Sequence, residues 1–148
     1  MNMFNFELSD SVELFYGEKC YEGKVYLPGL QEKFYAPKGY WSRKDYIDQW
    51  KSSYLRGVDQ GGNSVLVTSM RDPQQANFFS VWVLYCSGET VFVQNSIIFM
   101  DAIRSGFNID SVSDYAGDRE TIDEDGNHIS EWEVKIIDVK SYFDKLLG

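Results

Sequence analysis

Residues Phe78 to Cys86 form a nine-residue apolar run interrupted only by Ser80. Crossing a bilayer takes about 20 such residues, so the run fits a strand covered on both faces and not a membrane span. Ser87-Gly88 follows it directly and has the length and composition of a two-residue hairpin turn, after which Glu89 to Asn95 is again rich in apolar residues. On the other side Ser64 to Met70 is a third apolar stretch, with Pro73 in the loop between them. The segments Ser64–Met70, Asn77–Cys86 and Glu89–Asn95 are therefore expected to form an antiparallel meander with the middle strand central.

The remaining chain alternates strand and helix signals. Phe4, Phe6 and Leu8 alternate with Asn5 and Glu7, and Val12, Leu14 and Tyr16 alternate with Glu13 and Phe15, as in half-buried strands. Lys24 to Leu27 fits a further short strand. Ser42 followed by Asp45 is a variant of the capping box, and Tyr46, Ile47, Trp50 and Tyr54 then fall on one helical face before Gly57 supplies a stop. Beyond Ile97–Met100 the pattern is irregular until Asp125-Gly126, a hairpin signal. From His128 onward, Ser130, Trp132, Val134 and Ile136 define one face of a strand and Glu131, Glu133 and Lys135 the other. Asp138 is expected to cap a last helix carrying Val139, Tyr142, Phe143 and Leu146. With 148 residues, 17.1 kDa, and neither repeat nor linker, the chain reads as a single domain, 1–148. The class is α+β, with twisted antiparallel β-sheets and at least two helices. Trp41, Trp50, Trp82 and Trp132 are expected in packing roles.

Charge is unevenly placed. The whole chain carries −9, and the segment Asp110 to Glu133 accounts for −8 of it through nine acids against the single base Arg119. Such a segment repels nucleic-acid phosphate and anionic lipid and raises encounter rates with a cationic partner. The candidate contact residues for a basic partner are Asp114, Asp118, Glu120, Asp123, Glu124 and Asp125. A solvated acidic face that only keeps the protein soluble is the competing interpretation. The start of the sequence lacks the basic head and apolar middle of a secretory signal, which points to the cytosol.

Catalytic and cofactor chemistry finds no motif. Cys20, Cys86 and His128 are too few to close a structural zinc site without carboxylates. The stretch Thr121 to Trp132 places Asp123, Asp125 and Gly126 as a calcium loop would, but Thr121 and Trp132 stand where the first and last ligands belong. There is no nucleophile elbow and no phosphate-cradling glycine loop, and His128 beside an acidic turn reads as a surface residue. The expectation is a protein that is not an enzyme and uses no cofactor or metal. Phe78, Trp82, Tyr85 and Phe92 have the chemistry to stack on bases, but the basic interleaving of a nucleic-acid platform is missing.

Tyr40-Trp41-Ser42-Arg43-Lys44-Asp45-Tyr46 through Trp50, then Trp82-Val83-Leu84-Tyr85, Val93-Gln94-Asn95, Ile98-Phe99, Gly126 and Ile129-Ser130-Glu131-Trp132 occur in one order over residues 40 to about 143. This string resembles the contact-dependent growth inhibition immunity proteins. The resemblance implies a fold similar to the Whirly single-strand-binding proteins. It also implies an antitoxin role: binding and blocking the C-terminal toxin domain of a cell-surface effector, here a basic nuclease acting on ribosomal RNA. It further implies a cytoplasmic protein that touches neither nucleic acid nor membrane directly. A Whirly-like single-stranded nucleic-acid-binding module is the alternative, and a hydrolase using His128 a third.

Overall fold

The computed structural model describes residues 3–148. Seven strands divide into two antiparallel sheets. The first has the order β1 (Asn5–Phe15), β2 (Glu18–Leu27), β3 (Leu30–Pro37), and the second β4 (Asn63–Ser69), β5 (Phe78–Ser87), β6 (Thr90–Phe99), β7 (Trp132–Lys135). Helices α1 (Arg43–Arg56), α2 (Val112–Ala116) and α3 (Ile136–Leu147) complete the α+β architecture.

The meander forms as expected, with β5 between β4 and β6 and buried from Phe79 to Tyr85 apart from Ser80. Its two faces are covered differently. Trp82 meets Phe6 of the first sheet at a ring distance of 6.0 Å and Trp132 at 5.9 Å. On the opposite face Phe79 packs on Phe107, which stacks on Tyr115. The irregular segment after β6 is therefore a cover for the outer face of the second sheet, holding Val112 in the core and turning its carboxylates outward.

Helix α1 starts at the expected place: Ser42 caps it, Asp45 completes the reciprocal box, and Gly57 ends it. Its task is unusual. It lies along the free edge of β4 and pairs that edge with side chains in place of a strand. Gln49 donates to Val65 O at 2.8 Å and accepts from Val67 N–H at 2.9 Å, Trp50 Nε1 donates to Val67 O, and Ser53 Oγ accepts from Val65 N–H. Tyr46 OH accepts from Met70 N–H and donates to Pro37 O, linking the two sheets. A buried strand edge without such partners would leave desolvated backbone groups unpaired.

Four local expectations change. Residues 4–16 do not make two strands: β1 is one strand with a bulge between Leu8 and Val12, and everything from Asp10 to Tyr16 is exposed, not half-buried. Strand β3, which its polar Gln31-Glu32-Lys33 stretch concealed, pairs with Cys20–Leu27 of β2, itself longer than Lys24–Leu27. The last strand begins at Trp132, since His128 makes only an isolated bridge with Ile122. Finally, α3 starts at Ile136 directly from β7, so Asp138 sits in its first turn and caps nothing. The helix packs against Phe4, which stands just ahead of β1 with its ring 5.4 Å from Tyr142, and Tyr142 OH donates to Phe6 O of β1. Cys20 and Cys86 are both free.

Candidate functional site

All six candidate acids are exposed, and the structure sorts them into two groups. Asp114 on α2 and Asp118 just after Gly117 line a shallow groove with Asn63 and Ser113, where Ser113 Oγ donates to Asn63 O. Glu120 belongs with them: the Tyr85 hydroxyl is pushed up chiefly by burial and then by the carboxylates of Glu120, Asp118 and Glu131. Asp123, Glu124 and Asp125 form the tip of a small hairpin. There the Asp123 carboxylate accepts from Asp125 N–H at 3.0 Å and Asn127 N–H at 2.9 Å, and Gly126 supplies the left-handed turn at φ 82°.

A clasp that sequence reasoning missed fixes this segment on the sheet. Arg119 makes a two-pronged contact with Glu131 at 2.8 and 2.6 Å, and its guanidinium lies over the Phe92 ring, 3.6 Å from the centroid. From the sheet below, Gln94 on β6 donates at 2.7 Å to the same Glu131 carboxylate and at 2.9 Å to Glu120 O. Arg119 beside it, helped by Gln94, holds the Glu131 carboxyl below the ordinary carboxylate range. The one signal in the sequence was Arg119 itself, the lone base among nine acids, yet its partner stands twelve residues away and only the fold joins them.

The clasp alters the charge account. Glu131 is spent on Arg119, and Asp110 pairs with Arg56 of α1 at 3.0 Å. Of the nine acids between Asp110 and Glu133, the six candidates and Glu133 are left without an ion-pair partner among the described residues. Chemically, this is a preorganised anionic surface. His128 is exposed beside it, and among the described residues no three His, Cys, Asp or Glu side chains come together as a metal site. No helix among them is long and apolar enough to cross a membrane.

The arrangement has counterparts of known kind. The family described as CdiI N-terminal domain matches residues 36–142. The immunity protein CdiI of Enterobacter cloacae is 33% identical over 130 residues, which cover 88% of this chain and 89% of that protein. In solved structures, the CdiA-CT/CdiI toxin and immunity complex from Enterobacter cloacae contains a chain that superimposes with a TM-score of 0.91 at 31% identity, covering 98% of this chain and 99% of that one. The family match takes in the β4-edge helix, the second sheet and the segment over its outer face, and the superposition extends to nearly the whole chain, so the chain belongs to the CdiI immunity-protein family.

Proposed function

We propose that this protein binds the C-terminal toxin domain of its cognate contact-dependent growth inhibition effector in the cytosol and neutralises it by occupancy, without turnover. The toxin in this reading is a basic nuclease that cleaves ribosomal RNA, and Asp114, Asp118, Glu120, Asp123, Glu124 and Asp125 meet it. The observation that carries the reading is the set of uncompensated carboxylates held in place by the Arg119–Glu131–Gln94 clasp, on a chain similar over nearly its whole length to one from a toxin and immunity complex. A nuclease that holds a polyanion presents a basic face, and a fixed acidic surface steers onto such a face and covers it.

The test is a titration of the effector's C-terminal domain with this protein while RNA cleavage is followed. Inhibition should saturate at a fixed molar ratio. Inactivation of many toxin molecules per copy would instead mean turnover, and a toxin domain that leaves RNA intact would remove the nuclease part of the reading. Little favours the nucleic-acid-binding alternative: of the four aromatics with base-stacking chemistry, Trp82 and Tyr85 are buried and Phe92 lies beneath Arg119, which leaves only Phe78 exposed.

A further inference from the structure

Among the described residues, the β4 and β3 edges and the start of β1 are guarded, whereas Val12–Phe15 of β1 and Asn95–Phe99 of β6 pair on one side only. The β4 edge is paired by α1, and at the start of β1 the outward carbonyls are taken by helices: Tyr142 OH donates to Phe6 O at 2.6 Å and Arg43 Nε to Leu8 O at 2.7 Å. The β3 edge carries the exposed run Gln31, Glu32 and Lys33, a charged guard against pairing. Beyond its bulge β1 has neither device. Val12 to Phe15 form regular pairs with β2 only, and no side chain is bonded to their outer edge among the described residues. The side chains there are apolar and in solvent: Val12 is 42% exposed, Leu14 72% and Tyr16, at φ 50°, 95%. Phe15 is anchored by stacking on Tyr35 at 4.0 Å, so the hairpin is stiffened in this projecting form.

We infer that the β1–β2 tip is a self-association surface, in which a second copy of this chain adds its own β1 edge antiparallel to the first. Charge selects the occupant. The exposed Asp10 and Glu13 at the tip are balanced by the exposed Lys19 and Lys38, and Glu18 is paired with Arg71 at 2.7 Å. The patch is thus near neutral and apolar, the self-complementary character a two-fold contact needs. A basic partner is drawn to the other end of the molecule. Asn63, at the start of β4, borders the acidic groove, whereas Arg71, just beyond the end of β4, reaches the hairpin, and six strand residues separate these ends by about 20 Å. A two-fold register centred on Leu14 brings the two Leu14 side chains together, sets Glu13 beside the other copy's Phe15, and directly opposes no like charges. The patch is smaller than a standard interface, so the dimer is weak, dissociating at about 0.1 mM.

Sedimentation equilibrium of the full chain up to about 1 mM tests this. A reversible dimer is expected, weakened about ten-fold or more by L14K, while I137K, an equally exposed apolar position on α3, leaves it unchanged. Near-ultraviolet circular dichroism reports whether each variant is folded. Independently, L14C should give a disulfide-linked dimer under mild oxidation that the parent chain, with Cys20 and Cys86 alone, does not form. A chain monomeric at the highest concentration, a dimer that folded L14K leaves intact, or an L14C chain that does not cross-link overturns the inference. Self-association untouched by L14K together with lost toxin binding would reassign the tip to the toxin.

Discussion

At the scale of single residues, Glu131 controls how the acidic segment is held. Its carboxyl is kept below its ordinary value of 4.5, mainly by Arg119. A depressed carboxylate stabilises the native state fully above its unfolded value and loses that contribution as pH falls through the native one. The clasp should therefore hold from neutral pH down to about 4.5 and release below it. Amide exchange at Asp123 and Ile129, whose N–H groups donate to Asn127 O and Thr121 O, would show this as protection lost on acidification, and E131Q should show the same loss at pH 7. Gly23 presents a different constraint. A Cβ there would lie 2.1 Å from the Phe34 ring, which is its cross-strand partner and also packs on Trp50. G23A should thus lower stability by about 1–3 kcal/mol in chemical denaturation, an overpacking cost.

Among the elements, α1 has a task that sequence periodicity does not disclose. Its aromatic face packs as an amphipathic helix should, but Gln49 and Ser53 on its flank act as surrogate strand partners for Val65 and Val67. Replacing Gln49 with Leu keeps the volume and helix propensity while leaving one carbonyl and one N–H unpaired. The expected loss is about 1–3 kcal/mol for each group left desolvated, with β4 amide exchange accelerated. W50A removes both the Val67 hydrogen bond and a fully buried ring, for a loss of about 3–5 kcal/mol. If Q49L proves neutral, the side-chain pairing of the β4 edge contributes nothing to stability.

For the whole molecule, charge and titration give two further expectations. Converting all six candidate acids to Asn or Gln should slow association with the toxin domain and flatten its salt dependence, because the Debye length is about 10 Å at 0.1 M and exposed charges act mainly on encounter. An unchanged rate and salt slope in the folded variant would leave the acidic segment as a solubilising face. Alkali probes the interior. Burial pushes the Tyr46 and Tyr142 hydroxyls well above the ordinary value of 10 and Tyr54 up to about 12. The unfolded chain releases these protons first, so stability should fall as pH rises above about 10. Absorbance titration should show these three tyrosines ionising only with unfolding.

The sequence alone determined what nearest-neighbour chemistry can encode. The apolar run at β5, a two-residue hairpin turn after it, the cap at Ser42 and Asp45 and the imbalance of nine acids over one base are all local and correspond to the structure, except that the turn falls one residue later than Ser87-Gly88, at Gly88-Glu89. Polar Gln31-Glu32-Lys33 concealed β3 because a strand whose edge meets water has no apolar alternation there. The exposure of Val12 and Leu14 was equally illegible, since alternation reports which face a side chain takes and not whether anything lies beyond it. Tertiary structure decided those points. It also decided which acids remain free, because Arg119 meets Glu131 and Arg56 meets Asp110 only when the segment folds back over the sheet and against α1. Periodicity sums over a few residues of chain, whereas ion pairing, edge coverage and exposure depend on groups brought together from distant parts of it.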